Sequence, residues 1–297
     1  MFKTSAALIS AVLAVTLLGG FDIADYSLSD LNVTPPPAPA APGSQPPMPP
    51  GTVAHWRFAG PLGSVASDES SVLDATGRFK AFIFGGPVYR LLENRPGLEF
   101  SGRDDRLFVN DDPAFASTDG LTLEAIVRYD GTIPDTLDQS QILFRGDDRG
   151  GQDPWFLAVR TDGRLMFHVV GETGDYVQIL SPARLPVGRL MQVAGTLDCG
   201  SREMRLYIDG EPVCVAVTNL RPMQSLDPNA KPGIGIGNVQ SSTFNEAFNG
   251  LISEVRISSR ALDPKEMLKA RETPRRPRSE TEPAERRPDS NRRLFMR

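Results

Sequence analysis

Residues Met191–Val217, MQVAGTLDCGSREMRLYIDGEPVCVAV, hold three short apolar-rich runs divided by two tight turns. In the middle run Met204, Leu206 and Ile208 alternate with Arg205, Tyr207 and Asp209. A period of two belongs to a strand with one buried face, because successive side chains point to opposite sides. Asp209-Gly210 supplies two residues that tolerate positive φ, as a two-residue hairpin turn requires. Gly200-Ser201 turns the preceding run, Met191–Asp198, back onto the middle one. The product is a three-stranded antiparallel meander, which sets an all-β class.

The rest of the middle of the chain agrees. Val53–Phe58 alternates, with Trp56 and Phe58 on one face and His55 and Arg57 on the other. Leu121–Tyr129 places Leu121, Leu123, Ala125 and Val127 on one face. Further runs lie at 98–100, 107–109, 141–145, 155–160, 165–170, 176–180, 233–237 and 251–257, separated by Gly- and Asp-rich turns. Many short strands at such spacing predict a two-sheet antiparallel sandwich. Only Asp263–Ala270 reads as helix, with Asp263 as cap and Pro264 in the first turn.

The two ends read differently. Lys3 precedes the apolar run Ala6–Leu18, the pattern of an export signal. Residues 1–25 are therefore expected to be a signal peptide or an uncleaved membrane anchor. Residues 26–52 form a linker; nine of the sixteen residues at 35–50 are proline, which favours an extended spacer. Residues 271–297 carry nine arginines and five acids without apolar period, the composition of a disordered basic tail. The folded unit is expected at 53–270, a size that one all-β domain reaches. Its place is outside the cytoplasm: periplasmic, at the cell surface or secreted, with the membrane met only through the N-terminal segment.

A net charge of −5 argues against nonspecific nucleic-acid binding, which needs a basic footprint. The two cysteines, Cys199 and Cys214, fall on strands with the 204–209 strand between them. Two strand spacings are roughly 9–10 Å, beyond the ~7 Å Cα limit of a disulfide, so both thiols are expected to be free.

An ordered set of segments gives a resemblance. These are LEFSGRDDRLFV at 98–109, GLTLEAIVRY at 120–129, ILFRGDDRGG at 142–151 and WFLAVRTDGRLMFHV at 155–169. LPVGRLMQVAGTLDCGSREMRLYIDGEPV at 185–213 and FNGLISEVRISSRALDPKEM at 248–267 are the most specific. Over about residues 53–268 the chain resembles the laminin-G-like, concanavalin A-like jelly-roll domains. The resemblance implies two antiparallel sheets packed face to face, and binding of a glycan or of a surface protein rather than catalysis. It also implies one structural calcium, or no cofactor at all. By position Asp68 and Asp105 would be the calcium ligands. The residue before Glu254, usually acidic in the family, is Ser253, which offers one neutral oxygen where calcium takes several charged ones.

The alternatives are a purely structural envelope protein, whose sandwich only packs against partners, and a divergent glycoside hydrolase of the same fold, for which there is little support. Hydrolases of this fold carry two carboxylates across the scissile bond, on an E-x-D-x-x-E strand that this chain lacks. Asp104-Asp105 and Asp111-Asp112 are adjacent pairs that point to opposite faces or sit in turns. His55 and His168, the only histidines, fall on polar strand faces and are expected at the surface. The loop 147–153 is a candidate ligand-facing tip, through Asp147, Asp148 and Asp153, and so is the loop 130–140. Tyr129, Trp155 and Tyr176 are candidate sugar-stacking rings, with Trp56 and Trp155 equally suited to the core. Arg145-Gly146-Asp147 reads as turn chemistry rather than as a receptor tripeptide.

Overall fold

In a computed structural model, which describes residues 47–66, 70–133, 138–241 and 246–270, the meander forms with a positive φ at both Asp209 (53°) and Gly210 (82°). The chain runs through β1 (Thr52–Arg57), β2 (Ser71–Leu73), β3 (Lys80–Phe84), β4 (Val88–Leu92), β5 (Arg95–Ser101) and β6 (Arg106–Asn110). It continues through β7 (Gly120–Tyr129), β8 (Gln139–Gly146), β9 (Trp155–Arg160), β10 (Arg164–Val170) and β11 (Tyr176–Arg184). Last come β12 (Leu190–Asp198), β13 (Glu203–Ile208), β14 (Glu211–Val217), β15 (Gly233–Ile236) and β16 (Asn249–Ser258).

These strands make two antiparallel sheets. The first has the order β14-β13-β12-β7-β16-β5-β4, with β1 also paired to β16; the second has the order β11-β10-β9-β8-β15-β6-β3-β2. The core lies between them. Trp56, Phe58, Leu121, Leu123, Ala125, Trp155, Leu157 and Phe167 are all fully buried there. Burial of apolar area at roughly 25 cal/mol per Å² is what holds the two sheets together. Gly195 belongs to this packing, since a Cβ on it would enter the ring of Phe167.

Two expectations are corrected, and three strands are added. The segment 263–270 is not a helix: only Pro264–Glu266 forms a 3₁₀ turn, and Met267 is extended. Its backbone is used elsewhere, for the Leu268 N–H donates to Glu124 Oε2 at 2.7 Å instead of to a helical carbonyl. β2, β3 and β4 were not legible, being short and, in β4, half-exposed on both faces. His55 is not a surface residue: it is 1 % exposed, with Nε2 2.9 Å from Glu254 Oε2. Cys199 and Cys214 are free, with β13 lying between β12 and β14. The expected export segment, most of the linker, the basic tail and Asp68 lie outside the described residues.

Candidate functional site

A sandwich has two outer faces, and in this molecule they are unequal. The outer face of the first sheet is covered by its own C-terminal strap, residues 259–270. Glu124, on β7, receives Arg256 Nε at 2.6 Å and Leu268 N at 2.7 Å, while Arg256 Nη2 donates to the Glu266 carbonyl at 2.6 Å. Thr122 Oγ1 donates to the Arg260 carbonyl at 2.6 Å and accepts from Leu262 N at 2.9 Å. Leu262 and Met267 then pack on Ala194 and Tyr207. That is why Tyr207, on the polar side of its strand by alternation, is buried.

The second sheet carries on its outer face a single cross-strand row. Reading the register across the sheet gives Phe82, Phe108, Gly235, Phe144, Phe156, His168 and Gln178 in succession. Residues opposite one another on neighbouring strands lie about 4.5–5.5 Å apart, close enough for aromatic rings to stack. They do so. Phe144 and Phe156 have centroids 6.3 Å apart, Phe156 and His168 4.5 Å, and His168 and Tyr176 5.1 Å, with interplanar angles of 23°, 5° and 18°. The rings stand on the sheet with their faces along the row. The stack begins under the turn at 237–241, where Val239 helps bury Phe144 and Phe156, and it ends at Tyr176, 67 % exposed on the edge strand β11. Gly235 makes the covered end possible: a Cβ there would fall within the backbone of Asn238–Gln240.

Next to the open end, His168 Nδ1 lies 3.3 Å from Gln178 Oε1. With that oxygen as acceptor, Nδ1 carries the proton and Nε2 remains an acceptor. Burial lowers the pKa of His168, opposed by Gln178, so the ring is neutral at pH 7. The open end therefore offers an aromatic face, an imidazole acceptor and an amide, a set suited to a ring bearing hydroxyl groups.

Two carboxylates lie by the covered end. Glu246 receives Gln139 Nε2 at 2.8 Å and Gln141 Nε2 at 2.6 Å, and its pKa is raised by burial and by Asp138 against those bonds. Asp153 sits beside Gly146 and Phe144, where a Cβ on Gly146 would meet both. Its pKa is raised to about 7 by burial, then by the charges of Glu246 and Asp147.

The candidate loop acids thus separate. Asp147 is engaged: its oxygens take Arg149 N, Nε and Nη2 and Asp227 N, and these bonds outweigh burial and lower its pKa. Asp148 binds Lys231 Nζ at 3.1 Å and Gln240 Nε2 at 3.2 Å. Asp153 alone is without a hydrogen-bond partner among the described residues. Arg145 is 1 % exposed and bidentate to Asp111 at 2.7 and 3.0 Å, so the Arg-Gly-Asp tripeptide is not displayed. Tyr129 and Trp155 are buried, leaving Tyr176 as the exposed ring of the three.

Asp105 is buried in a turn, taking Gly86 N and Ser101 N, each at 2.7 Å. Ser253 Oγ donates to the Pro96 carbonyl at 2.6 Å. Among the described residues no three His, Cys, Asp or Glu side chains converge as a metal site. Sequence reasoning missed Phe144, Phe156 and His168 as one row, and Glu246 altogether. Alternation puts Phe156 opposite Trp155 and Leu157, but the row exists only once four strands are in register.

Among solved structures, the binding domain of Paraclostridial Mosquitocidal Protein 1 is similar at 13 % identity and a TM-score of 0.54, over 73 % of this chain and 50 % of that one. Domain 4 of AbnA, a GH43 extracellular arabinanase from Geobacillus stearothermophilus solved with arabinotriose, is similar at 18 % identity and a TM-score of 0.52, over 72 % and 95 %. The binding domain of botulinum neurotoxin serotype G is similar at 12 % identity and a TM-score of 0.51, over 72 % and 49 %. The chain thus spans about half the length of the first and third of these structures. At these identities the likeness is one of fold. No curated protein matches the sequence. A family model matches residues 101–267, from the end of β5 to the strap, and by that match the chain belongs to the concanavalin A-like lectin/glucanases superfamily.

Proposed function

We propose that this chain is an exported, non-enzymatic glycan-binding module that holds a sugar ring on the outer face of the second sheet, against Tyr176 and beside His168 and Gln178. The carrying observation is the ring stack that ends in an exposed tyrosine face. A tyrosine offers an apolar face and a polar tip, and its support from the stack holds it in one orientation at low entropic cost. Domain 4 of the arabinanase, of similar fold over nearly its whole length, was solved with arabinotriose and lends support to a glycan as partner. The export segment at 1–25 would place the module outside the cytoplasm, and an uncleaved segment would tether it.

The test is a glycan array that includes arabinotriose, followed by calorimetry on the best glycan with wild type and Tyr176→Ala. The expected result is binding that falls at least tenfold in Tyr176→Ala with an unchanged melting temperature. A blank array, or binding indifferent to Tyr176, would sink the proposal and favour a surface protein as partner.

A second reading has its own observation, the carboxylates Asp153 and Glu246 on one face. Glycoside hydrolysis needs one protonated and one ionised carboxyl group across the bond. Burial raises both pKa values, that of Asp153 to about 7, so the two carboxyl groups do not stand as one clear acid and one clear base. Turnover of a polysaccharide panel, lost in Asp153→Asn, would establish this reading in place of the first.

A further inference from the structure

The other end of the same cross-strand row is not covered. Phe82, which opposes Phe108, is 37 % exposed, and Leu73, which opposes Lys80 across β2 and β3, is 53 % exposed. With Phe79 and Val109 they line a cavity of about 500 Å³ at the β2–β3 edge, well away in the row from His168 and Gln178. That volume lies within the roughly 300–1,000 Å³ of small-molecule sites. Its floor is hydrocarbon and ring, without hydroxyl side chains among Leu73, Phe79, Phe82 and Val109.

The rim is where the charge is unsettled. Arg78 and Lys80 both line the cavity, two residues apart. Arg78 lies over the Phe79 ring at 4.7 Å from its centroid. Neither cation has an ion-pair or side-chain hydrogen-bond partner among the described residues, although most arginines of this domain do. Of the acids on the same rim, Asp111 holds Arg145 in a bidentate pair, and Asp112 caps the following 3₁₀ turn through Oδ1, which takes Ala114 N at 2.8 Å. The cavity thus has two donors with full charges, no acceptor assigned to them, and an apolar floor.

We infer that this cavity is a second binding site, independent of the glycan face, for a small amphiphilic carboxylate: an apolar chain or ring on Phe82 and Leu73, with its anionic group on Lys80 and Arg78. A polyhydroxylated ring would leave its hydroxyl groups against hydrocarbon, at a desolvation cost. A carboxylate matches the planar donor pair of an arginine. A volume of about 500 Å³ suits a whole small molecule.

The test uses three eight-carbon probes, octanoate, 1-octanol and octylammonium, with the full chain in saturation-transfer NMR. Transfer to octanoate well above that to the other two is expected, with at least a fivefold loss in Arg78→Gln/Lys80→Gln and in Phe82→Ala. Both substitutions fall on exposed side chains, and Tyr176→Ala should leave the signal intact. Equal transfer to octylammonium, or an octanoate signal unchanged in the double variant, would overturn the inference. So would binding to phosphatidylglycerol vesicles that depends on Arg78 and Lys80 while octanoate gives no signal.

Discussion

Arg256 donates from Nε to Glu124 Oε1 at 2.6 Å beneath the C-terminal strap, with Glu124 fully buried and Arg256 nearly so. The pair sits on β16 and β7, neighbours at the centre of the first sheet. Both members also bond to the strap, through Leu268 N and the Glu266 carbonyl. Burial pushes the Glu124 pKa up and the Arg256 charge opposes it.

Removing one member of this pair leaves the other as an uncompensated buried charge. Arg256→Met is therefore expected to cost about 3–5 kcal/mol in urea unfolding. Glu124→Leu/Arg256→Met should recover much of that loss, because a matched apolar pair has no charge to bury. Limited proteolysis should cut the strap in the single variant first, since two of its anchoring bonds depend on the pair.

Asp153 predicts a stability profile of opposite sense to ordinary acid denaturation. Its folded pKa is raised to about 7 from an ordinary 3.8, so the folded state binds the proton more tightly than the unfolded one. Its contribution is fully present below pH 4 and is lost as pH rises to 7. Asp153→Asn carries no such loss. It should match the wild type near pH 4 and exceed it above pH 7 by about 1–2 kcal/mol, a figure discounted for the carboxylate's partial exposure. Thermal unfolding across pH 4–8 checks this; a gap that does not vary with pH would contradict it.

The fold was largely legible because its strands obey a period of two and its turns carry Gly and Asp at the necessary positions. Leu121, Leu123, Ala125 and Val127 face the core as alternation requires. The failures share a cause: alternation assigns a residue to a face but does not say what covers that face. Thr122, Glu124 and Ile126 also lie buried, because the strap covers the face that alternation leaves open, and His55 is buried where it hydrogen-bonds Glu254. The site needed more again. Phe144, Phe156 and His168 lie on three strands, and their alignment depends on register, including the irregularity between Gln141 and Leu143. Residue type alone marks Tyr176 as a candidate; its exposure at the end of a ring stack is a tertiary fact.

His55 titrates with the opposite sign to Asp153. Burial lowers its folded pKa below 6.5, with the Glu254 hydrogen bond opposing, and its Nδ1 is buried without a partner. Protons therefore favour the unfolded chain, and stability present above pH 6.5 is lost as pH falls below it. His55→Gln keeps a donor for Glu254 without a titrating ring. The variant is expected to lose less stability than the wild type between pH 7.5 and 5 in urea unfolding. Parallel losses would assign the acid sensitivity to carboxylates instead.

Gly235 links the fold to the glycan face. It has no positive φ, so only space constrains it. A methyl group there would sit 2.5 Å from the Val239 carbonyl carbon and 2.7 Å from Gln240 N, so the turn over the ring stack would have to lift. That turn is tied to the segment leading into β16: Asn238 Oδ1 takes both Val239 N at 2.9 Å and Glu246 N at 3.1 Å. Lifting it would uncover Phe144 and Phe156 and move Glu246 from Gln139 and Gln141. Gly235→Ala is expected to cost about 2–4 kcal/mol, within the range of overpacking and lost buried contacts, and to bind more of a hydrophobic dye than the wild type does. Gly150→Ala, at a loop position with nothing within 4 Å and no positive φ, is the control and should stay within about 0.5 kcal/mol of wild type. Equal stability for the two variants would mean that the turn is not seated on Gly235, and that the covered end of the stack is open to ligand as well.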